Sequence, residues 1–253
     1  MTLPEFFFSY VVAFVSNPDY VKILVLSLVL LVYLRHLTKQ KVFYFIRHGQ
    51  TLLNHAHIKQ GSEGALSEEG LAEAQAIAHA FDELTIQIIY TSPYERAVQT
   101  ATIIGTAIHA RVVQVPLLAE RRNPTEVIGK STSDPQTMRI TELIERSFHD
   151  DTYRFSDEEN FSDLHLRAKK CMRLLRNQPK DKVCVVTHHA FLQVLISTLL
   201  YQDTLTAQDY VKLAFYNYSS TGGITTCIYR PLQRFFTASK GWEVVGYNQT
   251  AQS

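Results

Sequence analysis

The residues of this chain best suited to chemistry stand at the ends of short apolar runs. The first run, Val42 to Ile46, breaks off into Arg47-His48-Gly49-Gln50-Thr51. Arg47 offers a planar fork of donors that suits a phosphate, and His48 is a nucleophile or acid/base available near neutral pH. Gly49 lets the backbone turn sharply and approach a ligand closely. A second run, Ile86 to Thr91, leads through Ser92-Pro93 to Arg96, a third, Val112 to Leu118, ends at Ala119-Glu120, and a fourth, Val183 to Thr187, ends at His188-His189. Taken singly, an arginine on a helix is usually a solvated charge, and a histidine after a strand is usually structural. Jointly, two arginines, two histidines and a carboxylate would supply an anion cradle, a nucleophile and a proton carrier, which is what handling a phosphoryl group needs.

These residues are useful only if the four runs are neighbouring strands. Each is short, β-prone and apolar, the pattern of a strand buried on both faces, and ligands of such sheets lie beyond the strands' carboxyl ends. Helical patterns alternate with them. Ser67 reads as an N-cap ahead of Glu68, Glu69 and an alanine-rich stretch to Phe81. Further helices are expected over Tyr94 to Ile108, Thr137 to Phe148, Phe161 to Arg176 and Phe191 to Leu200. The tail holds strand candidates at Tyr210 to Tyr216, Gly223 to Tyr229 and Trp242 to Tyr247. This alternation predicts one α/β domain over 42–253, a three-layer α/β/α sandwich around a mostly parallel sheet.

Residues 1–41 differ from the rest. Phe6 to Val15 is an apolar patch of about ten residues, too short to span a bilayer as a helix. Asn17-Pro18-Asp19 reads as an N-cap, a first helical residue and an acid in the first turn. Residues 18–37 would then form a helix roughly 30 Å long, and Lys22 and Arg35 stand near its ends. The expectation is a single-pass membrane anchor. Arg35, Lys39 and Lys41 follow it, so the positive-inside rule places the catalytic domain in the cytoplasm.

The 253 residues carry a formal net charge of +1, so nothing points to nucleic acid as a partner. The three cysteines fit no metal-ligand spacing. His55-Ala56-His57 has the spacing of a metal pair but no further ligand at a suitable distance along the chain, and neither a metal nor another cofactor is expected.

The ordered motifs resemble the histidine phosphatase superfamily, also called phosphoglycerate-mutase-like. They are Arg47-His48-Gly49-x-Thr51-x-x-Asn54, Gln60-Gly61, Leu66-Ser67-x-x-Gly70, Thr91-Ser92-Pro93-x-x-Arg96-Ala97-x-Gln99-Thr100-Ala101, Leu118-Ala119-Glu120-Arg121 and Val185-Val186-Thr187-His188. The resemblance implies that His48 forms a phosphohistidine, that Arg47, Arg96 and His188 hold the phosphoryl oxygens, and that Glu120 serves as general acid and base. It marks Thr51, Asn54, Gln60 and Gly61 as substrate-side residues and implies no metal. Two departures stand out. His189 replaces the glycine usual after the second histidine, and residues 121–160 match no family pattern, so Arg121 and Arg122 are either anion ligands or solvated charges. The expected substrate is a phosphorylated small molecule or a phosphoprotein. The alternatives are a phosphoglycerate-mutase-type phosphotransferase, which the missing mutase-like segment disfavours, and a catalytically silent binder of phosphorylated ligands at the membrane.

Overall fold

The computed structural model describes residues 17–150, 152–216 and 218–251. Six strands form one sheet in the order β3-β2-β4-β1-β5-β6. They are β1 (Lys41–Arg47), β2 (Ile88–Thr91), β3 (Arg111–Gln114), β4 (Lys182–Thr187), β5 (Ile224–Tyr229) and β6 (Trp242–Gln249). The first four are mutually parallel, whereas β5 runs antiparallel to β1 and β6 antiparallel to β5. The sheet is therefore mixed, with its parallel strands grouped on one side.

Helices α2 (Leu52–His55) and α5 (Pro135–Ser147) follow β1 and β3 in the chain. Alternation along the strands builds two cores. Phe43 and Phe45 of β1 and Val183 and Val185 of β4 face one side, where α6 (Phe161–Asn177), α7 (His189–Tyr201) and α8 (Ala207–Tyr216) cover them. Ile46, Ile89, Cys184 and Val186 face the other side, against α3 (Glu68–Ala80) and α4 (Glu95–Ala107). Each large side chain fully buried this way contributes about 1.5–3 kcal/mol. These contacts hold the sheet between two helical faces and leave the strand ends for the site.

Register aligns those ends. Arg47 lies opposite Thr187 across the β1–β4 ladder. One residue further on, His48 N–H donates to the Thr187 carbonyl at 3.0 Å, and Ser92 N–H donates to the Val186 carbonyl at 3.0 Å. The exits of β1, β2 and β4 thus meet at one edge, as ligand sites of such sheets require.

Three expectations are corrected. The third strand stops at Gln114, and Pro116–Leu118 forms a single tight turn, because proline at 116 has no N–H to continue a ladder. The tail run from Tyr210 is helical. The Thr206 hydroxyl accepts Asp209 N–H at 3.1 Å, a capping contact that starts α8 and overrides the strand-like composition. The third concerns α1 (Pro18–Thr38), which begins where predicted, with the Asn17 side chain accepting Asp19 N–H at 2.9 Å. Among the described residues, however, no helix is long and apolar enough to cross a membrane. Lys22 and Arg35 leave only the run Ile23 to Leu34 uninterrupted by charge, about 18 Å of helix against a hydrocarbon core of about 30 Å. The single-pass anchor therefore falls, and with it the cytoplasmic placement read from the basic residues beyond it. The patch from Phe6 to Val15 lies outside the described residues.

Candidate active site

At the exit of β1, His48 is almost wholly enclosed. Its Nδ1 lies 2.7 Å from the Gly49 carbonyl oxygen and donates its proton there, which leaves the lone pair on Nε2. Arg96, from the first turn of α4, donates Nε–H to that lone pair at 3.1 Å and anchors Nη1 on the Gly61 and Glu63 carbonyls at 3.0 and 3.2 Å. Burial, followed by the Arg96 and Arg47 guanidiniums, holds His48 well below its usual pKa and outweighs the Gly49 contact. It is a neutral imidazole pointed at a guanidinium.

The turn that makes this possible depends on a close backbone crossing. A Cβ on Gly49 would lie 2.5 Å from the Gly70 carbonyl oxygen, and one on Gly70 would lie 2.0 Å from that of Gln50. Only two glycines allow the approach, so the Arg-His-Gly and Leu-Ser-x-x-Gly motifs are two sides of one contact.

His188 follows β4, with its ring centroid 5.0 Å from that of His48. Its Nε2 lies 2.7 Å from Ser92 Oγ. That oxygen accepts Tyr94 N–H and keeps its own proton to donate to Nε2, the arrangement in which the His188 ring proton stands on Nδ1. His188 Nδ1 is buried without a partner among the described residues, and so is Arg47 Nε. A buried polar nitrogen without a partner costs about 1–3 kcal/mol, so two of them beside His48, one of them a guanidinium N–H, mark a place suited to an anion. Burial, then the neighbouring His48 and Arg96, also keeps His188 well below its usual pKa. Tyr94 packs its ring against both Arg96 and His188, at 5.3 and 5.1 Å.

Glu120 comes from the loop after the Pro116–Leu118 turn. Its Oε1 accepts Arg121 N–H at 2.8 Å and Phe191 N–H at 3.0 Å, and its Oε2 accepts Ala190 N–H at 3.3 Å. The last two donors belong to the first turn of α7, whose N–H groups have no partner within the helix. The helix that follows His188 therefore aims the carboxylate at the strand exit.

Arg167 fixes that loop and is not part of any motif. It donates to the carbonyls of Leu117, Ala119 and Glu120 at 3.1, 2.6 and 3.3 Å. It also grips Glu159 through two bonds of 2.9 and 2.7 Å and lies 4.0 Å over the Phe191 ring. Ser219 is a second such residue. Its carbonyl accepts Arg47 Nη1–H at 2.6 Å, and its hydroxyl lies 3.0 Å from His189 Nδ1. Both contacts join residues far apart in the chain, where local spacing carries no signal.

The remaining sequence candidates are dispersed around this centre. Thr51 and Asn54 cap each other, with Asn54 Oδ1 accepting the Thr51 hydroxyl at 2.9 Å and Thr51 Oγ1 accepting Asn54 N–H at 3.0 Å. Gly61 serves through its carbonyl on Arg96, and Gln60 Oε1 is buried without a partner among the described residues. His189 lines the cavity shared with Glu120 and Arg121. Arg122 does not. Its Nε donates to the Asp157 carbonyl, and it lines a separate hollow with Arg154 and Asp163.

A mixed α/β sheet whose exits gather two neutral histidines, two guanidiniums and one carboxylate is the frame of a phosphate-handling protein. The sequence profile of the histidine phosphatase superfamily (branch 1) matches residues 43–221, and the chain belongs to that superfamily. A probable phosphoglycerate mutase of Erwinia tasmaniensis is 30% identical over 161 residues, covering 62% of this chain and 74% of that protein. A putative alpha-ribazole-5'-P phosphatase from Escherichia coli superimposes with a TM-score of 0.66 at 18% identity, covering 83% of this chain and 97% of that one. A mycobacterial glucosyl-3-phosphoglycerate phosphatase in complex with VO3 gives 0.65 at 20% identity, covering 83% and 100%. At such identities these two likenesses establish the fold alone.

Proposed function

We propose that this protein is a phosphomonoesterase that works through a phosphohistidine on His48. The observation that carries the reading is the His48 ring, which is neutral, with Nδ1 tied to the Gly49 carbonyl and Nε2 turned toward Arg96. In the first step Nε2 forms a bond to phosphorus as the bond from phosphorus to the ester oxygen breaks. Glu120 gives its proton to that oxygen, and the alcohol leaves. Arg47, Arg96 and His188 Nδ1–H take the phosphoryl oxygens, with Arg96 moving its Nε–H from the histidine to the incoming group. In the second step water attacks phosphorus, Glu120 takes its proton, the phosphorus–nitrogen bond breaks, and inorganic phosphate leaves with His48 restored. Positioned cations supply the electrostatic stabilisation that phosphoryl transfer demands.

A mutase reading has one observation in its favour, the name of the Erwinia tasmaniensis relative. The two readings separate on the fate of the phosphoryl group. Incubating the purified chain with a panel of phosphorylated metabolites should release inorganic phosphate, and His48→Ala should remove that release. Transfer to a second hydroxyl without phosphate release would establish the mutase, and release unchanged in His48→Ala would refute the phosphohistidine.

A further inference from the structure

Glu120 and His189, the latter tied to Arg47 through Ser219, line a cavity of about 440 Å³. If Glu120 protonates the ester oxygen, the alcohol being released extends into this space. Two aromatic side chains, Phe148 and Tyr210, face it with ring centroids 5.6 Å apart. Two cations also line it. The Arg121 guanidinium lies 5.5 Å over the Phe148 ring. Lys59 is placed by a loop pinned at both of its backbone groups, with its N–H on the Lys130 carbonyl and its own carbonyl accepting Gly129 N–H, each at 2.9 Å. Among the described residues neither cation forms an ion pair. Desolvation and, after it, Arg121 lower the Lys59 pKa, while Glu145 opposes them. With Glu120 protonated for the first step proposed above, the cavity holds two cations against the one carboxylate of Glu145.

We propose that the substrate is a phosphomonoester whose alcohol is a flat, apolar body carrying one further negative charge, read by Lys59 and Arg121. This rests on the phosphohistidine reading, because that reading sends the alcohol past Glu120. The aromatic walls suit a ring, which prefers offset or edge contacts at about 4.5–7 Å from its neighbours. The surplus positive charge suits a single carboxylate or similar group, which would bring charge-assisted hydrogen bonds to donors that otherwise repel each other. Arg122 takes no part, since it faces the other hollow.

Matched aryl esters test this. Phenyl phosphate, 4-carboxyphenyl phosphate and 4-(trimethylammonio)phenyl phosphate share one ring and differ in charge at its far end. Phenol acidities differ, so the diagnostic is how the ratio of kcat/KM values changes between the wild type and Lys59→Met or Arg121→Met. The carboxylate should be preferred over the unsubstituted ring by roughly tenfold or more, from one to two charge-assisted hydrogen bonds. That preference should fall several-fold in either variant, and the cationic ester should gain relative to the others. A ratio unchanged by both variants, or no preference for the carboxylate, would overturn the proposal. Thermal melting of each variant confirms that it is folded. Should none of the esters turn over, the metabolite panel with His48→Ala still decides the phosphohistidine reading, and calorimetric binding of benzylphosphonate and 4-carboxybenzylphosphonate decides the inference by itself. Tighter binding of the carboxylate, lost in the variants, supports it, and equal affinity sinks it.

Discussion

The inner and outer halves of the site are built differently. The inner half, Arg47, His48, Arg96 and His188, hangs from strand exits whose register is set by the β1–β4 and β2–β4 ladders. His48, Arg96 and His188 are 3%, 3% and 0% exposed, and their partners are mostly backbone carbonyls or each other. The outer half, Lys59, Arg121, Glu145 and Phe148, comes from the segment after the acid and a loop held to it by the Ile58–Ser131 bridge. Here the charges line a cavity two of whose walls are aromatic, Phe148 and Tyr210. Contacts at both of its ring nitrogens fix the His48 imidazole in one orientation, as bond-making by that ring would need. Selecting an alcohol requires only a shape and a charge, which a loop can provide on a fixed scaffold.

Substitutions should separate the halves by size of effect. His48→Ala should lower turnover of every phosphate ester by roughly 10⁴-fold or more, since it deletes the bond-forming atom. A loss confined to some esters in a steady-state assay would place the nucleophile elsewhere. Glu120→Gln should cost roughly 10²–10⁴-fold, as for loss of a proton carrier. The cost should shrink for esters of acidic phenols, because they leave without a proton, and a uniform loss across leaving groups would remove Glu120 from that role.

Arg167 lies between the halves, holding the Glu120 loop without lining either. Arg167→Met should destabilise the fold by about 3 kcal/mol, because it takes the guanidinium away from the mostly buried Glu159 carboxylate and leaves it the Arg122 N–H. It should also lower kcat more than it raises KM, with a changed pH profile, because the loop carrying the acid loses three carbonyl contacts. Denaturant unfolding and the kcat–KM split check the two parts, and a purely structural role would move only the first.

The smallest effect concerns pH. Burial, with nearby charge, holds both His48 and His188 well below 6.5 in the folded chain, whereas unfolded they titrate near that value. Between those limits the unfolded chain binds more protons, so this share of stability is whole above about pH 6.5 and drains as pH falls below it. Activity should meanwhile persist below pH 6.5, since the nucleophile stays neutral there. Urea midpoints at pH 7.5 and 5.5 should differ in the wild type, and less in the His48→Ala/His188→Ala double variant. Equal differences in the two proteins would remove the histidines as the cause.

The same contrast explains what the sequence could disclose. Arg47, His48, Arg96 and His188 were readable because each directly follows or closely trails a strand, so local pattern and site geometry coincide. The mutual approach of Gly49 and Gly70 was present as two motifs but not as one contact. Arg167, Ser219 and Lys59 were unreadable because their partners lie tens of residues away or across a cavity. The run from Tyr210 reads as a strand by composition, and a single hydroxyl cap at Thr206 decides it as helix. The helix at Pro18–Thr38 is legible in its cap, whereas its apolar composition suggests a span that Lys22 and Arg35 cut short.

The most direct test of the account is to trap the intermediate. The chain would be mixed with a phosphate ester, quenched within the first turnover under alkaline denaturing conditions that preserve phosphohistidine, and mapped by peptide mass spectrometry. One phosphoryl group on the peptide containing His48, absent from His48→Ala, is the predicted result. A phosphoryl group on another residue, or phosphate release by a His48→Ala chain that matches the wild type, would contradict it.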